Sequence, residues 1–241
     1  VLDVATGLGE PALTAAQRVG PTGSVVATDL SPQMLAIARM RAAELGVSHI
    51  AFLEADAARL PAEVAPFDAI LCRWGITSLP DPAGTLRALR ALLTPTGAFA
   101  TAVWEAGPAG RPLAHLATAL ADACFDARSL SPSLSPSPSP SASATASEAS
   151  MQSTLVHLLR EAGFTGVHAE VMTIQFAWPS VAACAQYLQD VSPDLRARIA
   201  AQPAARQAAY WHALADRLAP YRSANGSVQI PNVTICAVGH R

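Results

Sequence analysis

Twelve residues at the head of the chain constrain its fold more than any others: Val1-Leu2-Asp3-Val4-Ala5-Thr6-Gly7-Leu8-Gly9-Glu10-Pro11-Ala12. A short apolar run, Val1–Ala5, enters this segment. A run with helical spacing, Pro11–Val19, leaves it, with Leu13, Ala16 and Val19 on one side. A strand must therefore turn sharply into a helix within a few residues. Gly7 and Gly9 permit backbone conformations closed to other residues, and they let a ligand approach the main chain. Such a turn, at the carboxyl end of the first strand of an open α/β sheet, is where such sheets bind ligands.

The alternation continues. Val25–Thr28 reads as a second strand ended by Asp29, and Ser31-Pro32 opens a helix with Ser31 as its N-cap. That helix runs to about Leu45 and stops at Gly46. Ile50–Leu53, Ala69–Cys72 and Ala98–Trp104 are further strands, and Asp81–Leu93 is a helix. The pattern predicts an α/β fold: a Rossmann-like, doubly wound, mainly parallel sheet.

The second half differs. Arg111–Ala127 reads as a helix, followed by Ser129–Ser150, which is almost entirely Ser, Pro and Ala. That stretch has too little apolar surface to offset its ordering entropy and is expected to be a disordered insertion. Met151–Ala162 is amphipathic, Val167–Phe176 is strand-like, and Ser180–Gln189 and Arg196–Tyr221 are helical, the latter interrupted near Pro203. Val228–Val238 is a last strand, expected to add an antiparallel C-terminal edge to the sheet. The expected organisation is a nucleoside-binding core at 1–105, a cap helix at 106–128, the insertion at 129–150 and a helical cap with the last strands at 151–241, forming one domain overall.

Composition removes several classes of function. The net charge of −2 offers no basic field for nucleic acid. All 16 basic residues are arginine, so neither a Schiff-base lysine nor a P-loop lysine exists. Cys72, Cys124, Cys184 and Cys236 form no CxxC pair, and the histidines show no metal-pair spacing. No metal site is expected, and the thiols suit a cytoplasmic or other reducing compartment. No signal peptide or apolar run of membrane-spanning length is visible. The chain opens inside a strand and without methionine, so it reads as lacking its natural N-terminus.

Two acids follow the glycine turn. Asp29 ends the second strand, where a carboxylate can accept hydrogen bonds from both hydroxyls of a ribose; the competing role is to cap the next helix. Asp56, in Glu54-Ala55-Asp56-Ala57, ends the third strand beside it and would lie near the base of the same nucleoside. The spacing Gly7-x-Gly9-x-x-Ala12 also fits a dinucleotide fingerprint. Asp3 inside the first strand and Glu10 beside Gly9 argue against a pyrophosphate, which a neighbouring carboxylate repels. A phosphate-free, cationic cofactor tolerates both acids.

The ordered motifs resemble those of the class I S-adenosylmethionine (SAM)-dependent methyltransferases, in particular the UbiE-like group related to quinone-biosynthesis C-methyltransferases. The resemblance covers about residues 1–105. It rests on Val1–Gly9, on Val26-Ala-Thr-Asp29-Leu-Ser-Pro-Gln-Met34-Leu, on Glu54-Ala-Asp56-Ala57, on Phe67-Asp68-Ala-Ile-Leu-Cys72-Arg73-Trp74-Gly75, and on Leu92–Gly97 with the strand after it. It implies SAM as cofactor, held by Asp3, Ala5, Gly7, Gly9, Asp29, Leu30, Met34, Asp56, Ala57, Cys72 and Arg73. Ala5 stands at the motif's first glycine and Thr96 at a position where glycine is commoner. Members of the family carry one or two helices before the first strand, so the cofactor site is expected to be incomplete at its N-terminal side.

Methyl transfer from a sulfonium asks the protein mainly to align donor and acceptor and to exclude water. A general base is required only where the acceptor must lose a proton. The candidates for catalytic roles are Arg73, after the fourth strand, and His115, on the helix after the fifth. Trp74 and Trp104 are candidates for an acceptor pocket. The Ala- and Leu-rich cap, with Trp178, Tyr187, Tyr210 and Trp211, suits a small apolar or aromatic acceptor better than nucleic acid. The competing readings are an NAD(P)-dependent oxidoreductase and a non-catalytic relic of the fold.

Overall fold

The computed structural model describes residues 1–60, 64, 66–125 and 150–241. Among the described residues seven strands form one sheet: β1 Leu2–Val4, β2 Val25–Asp29, β3 Ile50–Glu54, β4 Phe67–Arg73, β5 Leu93–Trp104, β6 Thr165–Trp178 and β7 Val228–His240. Their order is β3-β2-β1-β4-β5-β7-β6. The pairs among β1 to β5 are parallel, and β7 runs antiparallel to β5 from Ala98↔His240 to Trp104↔Thr234. The last strand in sequence is thus an interior strand, and β6 takes the edge expected of it. The sheet is the Rossmann-like, mainly parallel one that the alternation of elements implies.

Two compact units divide the chain. The first is Val1–Glu105 with the stretch through Met172 that α5 opens, and Thr234–Arg241. In it, α1 (Ala12–Val19) packs Ala12, Ala15 and Ala16 against Val25 and Ala27 of β2. α2 (Pro32–Glu44) lies against β2 and β3. A larger apolar layer joins Leu2 and Val4 of β1 and Ile70 of β4 to Leu86 and Leu89 of α3 (Pro82–Ala91) and Leu155 and Leu159 of α5 (Met151–Glu161). Central parallel strands need apolar side chains on both faces, and the buried positions of β4, Phe67, Ile70 and Cys72, follow that rule. On β1, Asp3 is the buried exception.

The second unit holds α4 (Pro112–Phe125), α6 (Val181–Val191), α7 (Pro193–Ala200) and α8 (Ala204–Arg217), with Thr173–Val233 of the C-terminal half. Its own core gathers Leu113, Leu120, Leu188, Tyr210, Leu214 and Ile230. The buried Tyr210 hydroxyl donates to the Ala117 carbonyl at 3.1 Å.

The caps explain most element boundaries. Ser31 accepts from Met34 N and opens α2, with Pro32 at its first position. Asp81 accepts from Gly84 N and opens α3, and Ser180 accepts from Ala183 N and opens α6. Gly46 and Gly163 take positive φ just past α2 and α5. The expected insertion lies outside the described residues apart from Ser150, which accepts from Ser153 N and caps α5. The interruption expected near Pro203 is there: it parts α7 from α8, and α7 begins at Pro193. The stretch before Ala98, read as preceding the fifth strand, belongs to β5 from Leu93, with a register shift between Phe67 and Ala69, where Leu93 and Ala98 are the successive partners.

Candidate functional site

The glycine turn is held by hydrogen bonds that converge on two carboxylates. Thr6 N donates to Thr28 O at 2.9 Å and Gly9 N to Thr6 O at 3.0 Å. Gly9 N–H and carbonyl thus bridge the turn to α1, whose Leu13 N donates to Gly9 O at 2.8 Å. Gly9 takes φ +102, and a Cβ there would meet Leu13 at 3.0 Å and Ala38 of α2 at 3.2 Å. Glycine is needed at this position because the turn is clamped between two helices.

Asp3 lies beneath the turn with no exposed surface. Its Oδ2 accepts from Thr6 Oγ1 at 2.6 Å and from Ala12 N at 2.9 Å, so one oxygen ties the loop to the first turn of α1. Its Oδ1 is buried and accepts no hydrogen bond among the described residues. Burial pushes the Asp3 carboxyl up to about 7, against the lowering effect of its hydrogen bonds and of Arg73. Cys72, buried beside it on β4, is pushed up to about 12 by burial and by the Asp3 charge, so its thiol is inert.

Asp29 closes the site from β2. Its Oδ2 accepts from Gly7 N at 2.8 Å and its Oδ1 from Ser31 N at 2.9 Å. Each oxygen keeps a lone pair beyond these backbone bonds. Asp29 thus braces Ser31, the cap of α2, and presents a fixed carboxylate edge at the glycine turn. Leu30 and Met34, beside it, are 67% and 44% exposed. The Met34 sulfur would lie 3.9 Å from a Cβ at Gly7. Leu30 and Met34 thus set an exposed apolar surface next to a fixed carboxylate. Asp56 accepts from Ala58 N at 2.9 Å and opens the one-turn 3₁₀ helix Ala57–Arg59, with Ala57 buried. Arg59 approaches it at 4.0 Å. The cap role is therefore filled by Asp56 as well.

Glu10 flanks the loop. It accepts from Thr14 Oγ1 at 2.8 Å and pairs with Arg41 of α2 at 3.8 Å, while Arg41 donates to Leu8 O at 2.6 Å. Glu10 thus braces the loop from its flank, and Asp3 is the buried acid beneath it.

The carboxyl ends of β4 and β5 form the other wall. Ala5 and Trp74 both have positive φ, 56° and 62°. A Cβ at Gly75 would meet the Cβ of Ala5 at 2.7 Å, so β1 and β4 end in close contact. The Trp74 and Trp104 rings stack at 4.1 Å, the Arg73 guanidinium lies 4.4 Å from the Trp74 ring centroid, and Trp74 Nε1 donates to Thr234 Oγ1 at 3.3 Å. The sequence suggested Arg73, Trp74 and Trp104 singly; the stack depends on β4 lying beside β5, and its hydrogen bond on Thr234 delivered by β7, pairings that no local motif announces. Arg73 and Pro11 also border a cavity of about 350 Å³ floored by β4, β5 and β7. His115 is an exposed residue of α4, in the second unit. Among the described residues no group of His, Cys, Asp and Glu is arranged to hold a metal ion, and no helix is long and apolar enough to cross a membrane.

Comparison with known proteins meets this geometry. Residues 1–97 match a family model described as a methyltransferase domain. The chain is 37% identical over 98 residues to the ubiquinone/menaquinone biosynthesis C-methyltransferase UbiE of Pseudomonas savastanoi, covering 40% of this chain and 38% of that protein. It is 42% identical over 97 residues to the demethylmenaquinone methyltransferase of Deinococcus radiodurans, covering 40% and 39%. The aligned part thus spans well under half the length of these curated relatives. The YcgJ protein of Bacillus subtilis superposes over 100% of this chain and 90% of its own, with a TM-score of 0.55 at 16% identity. The [4+2]-cyclase SpnF superposes over 99% and 74%, with a TM-score of 0.50 at 19% identity. These two likenesses concern the fold alone, and the second is to a cyclase, so fold does not set the reaction.

Proposed function

We propose, from the premise that residues 1–97 are a class I SAM-dependent methyltransferase domain of the UbiE-like kind, that this chain transfers a methyl group from SAM to a small apolar or aromatic acceptor. Bound SAM supplies an activated methyl group on a sulfonium that leaves without acid assistance. The observation that carries this reading is the Asp29 carboxylate, fixed by Gly7 N and Ser31 N beside the apolar shelf of Leu30 and Met34. Asp29 would hold the ribose and Leu30 and Met34 the base. Asp56 and Ala57 would lie at its far edge, and the main chain of Ala5, Gly7 and Gly9 would hold the aminoacyl end. Cys72 contributes from beneath, as packing.

The chain's own residues then have the tasks of alignment and exclusion of water. The Arg73–Trp74–Trp104 stack makes a rigid, partly apolar wall at the carboxyl ends of β4 and β5, suited to a flat acceptor. Arg73 is the candidate to orient an acceptor oxygen. A quinone-type acceptor matches the names of the relatives. Four free cysteines match a reducing, cytoplasm-like setting.

Calorimetric titration with SAM tests the reading. The expected result is a single site, weakened about 10- to 100-fold by Asp29→Ala through the loss of charged hydrogen bonds. Unchanged affinity in that variant sinks the ribose assignment, and binding of NAD in place of SAM sinks the whole reading. A labelled-methyl screen against quinols, phenols and small acids then identifies the acceptor.

A further inference from the structure

Asp3 has an unusual position for a carboxyl group. It lies mid-sheet, paired in register with Ala27 on one side and Leu71 on the other, and it has no exposed surface. One oxygen, Oδ2, carries both of its hydrogen bonds, from Thr6 and Ala12. The other, Oδ1, has none among the described residues. A buried carboxylate with an unpartnered oxygen carries an uncompensated desolvation penalty as an anion. As a neutral acid with its proton on that oxygen, it has no acceptor to donate to. In neither state does that oxygen find a hydrogen-bond partner among the described residues.

The charged groups that face Asp3 do not complete it. From β4 come Arg73, which favours the anion, and the Cys72 thiol. From the head of α1 comes Glu10, which disfavours it. β2 contributes only the neutral Thr28 hydroxyl, which donates to the Asp3 carbonyl at 3.3 Å. Burial outweighs them all and keeps the group near half-protonated around pH 7.

We propose that Asp3 is a proton-linked positioning residue: a cationic aminoacyl ligand arriving at the glycine turn drives the proton of Asp3 into solvent, so that ligand affinity climbs with pH. The inference rests on the reading that this turn holds SAM. The proton leaves the carboxyl group for the buffer, and the negative charge left behind faces the ligand's positive charge. Through Oδ2 the same carboxylate holds Thr6 and Ala12 more firmly as an anion, so the ligand also stiffens the loop that binds it.

The full chain is titrated by calorimetry with S-adenosylhomocysteine, which carries an α-ammonium, and with 5′-methylthioadenosine, which lacks the aminoacyl group. At pH 6.5, in two buffers of different ionisation enthalpy, S-adenosylhomocysteine is expected to release most of one proton and methylthioadenosine none. Affinity for S-adenosylhomocysteine is expected to rise about tenfold from pH 6 to pH 8, the linkage for a group titrating near 7. Asp3→Asn is expected to abolish both the proton release and the pH dependence. Binding with no proton release and a flat pH profile overturns the inference and leaves the cofactor reading standing. Equal proton release with both ligands, or release that persists in Asp3→Asn, overturns it too, because another group is then the source. Failure of both ligands to bind at any pH overturns the cofactor reading and the inference with it. Should Asp3→Asn not fold, the comparison of the two ligands on the unaltered chain decides the matter.

Discussion

Ala5 shows how much chemistry one residue carries beyond its identity. It stands where the related motif has glycine, and its φ of 56° is the left-handed conformation that glycine adopts freely. For alanine that conformation costs about 1–2 kcal/mol, whereas glycine loses about 0.4–1 kcal/mol more entropy on folding. Ala5→Gly is therefore expected to raise stability by roughly 0.5–1 kcal/mol, read from the urea midpoint at constant m-value. Gly75→Ala is the converse. Its new Cβ would sit 2.7 Å from that of Ala5, and the expected loss is about 1–3 kcal/mol. Asp3 gives a pH test at the same scale. Its folded-state value, about 7, lies above the ordinary carboxyl value of 3.8. Its contribution to stability is thus fully present below pH 3.8 and is lost as pH rises through 7. The stability of the chain relative to its Asp3→Asn variant should fall by a few kcal/mol, to order of magnitude, between pH 4 and pH 8. A flat difference would place Asp3 in a solvated setting. The sequence displayed Asp3, Gly7, Gly9 and Asp29 because their roles follow from residue type and spacing. The positive φ of Trp74 and the turn of Glu10 toward Arg41 were not legible, since both are set by neighbours distant in sequence.

Elements were legible where their ends are written locally. Ser31 shows the rule: its hydroxyl accepts from Met34 N, while its own N–H is held by Asp29. Ser31→Ala is expected to cost about 1 kcal/mol of stability. The Asp29 bond to the backbone N–H survives this change, so the affinity for S-adenosylhomocysteine should stay within about twofold; a large loss would mean that the cap itself positions the carboxylate. Glycines past α2 and α5 marked the other ends equally well. Two elements escaped local reading. Thr94-Pro95-Thr96-Gly97 has the composition of a turn, yet β5 continues through it, because the pairing with β4 shifts register there and absorbs the extra residues. Ser150 closes a Ser- and Pro-rich stretch by composition but serves α5 as its cap, a role visible only in its bond to Ser153 N. The Trp74–Trp104 stack belongs to this scale too, since it needs β4 and β5 side by side in register and Thr234 delivered by β7.

At the scale of the whole molecule, the motifs and the architecture divide the chain differently. Motifs fill the first hundred or so residues and are absent from the rest, so the sequence described the second half only by periodicity and composition. In the structure the first unit takes back α5, part of β6 and the end of β7, whereas the second is built around α4, α6, α7 and α8. Long-range strand pairing sets that division, and no local pattern encodes it. The two main apolar cores share no residue: one surrounds Ile70, Leu89 and Leu159, the other Tyr210, Leu188 and Leu214. Separate cores can lose stability separately. Tyr210 is fully buried in the second and donates to Ala117 O, so Tyr210→Ala removes a ring and leaves that carbonyl short of a partner. The expected cost is about 3–5 kcal/mol. Hydrogen exchange read by mass spectrometry should show the loss of protection in α4 and α8, with β1, β2 and β4 keeping theirs. Equal loss across both sets of amides would mean that the two cores unfold as one cooperative block.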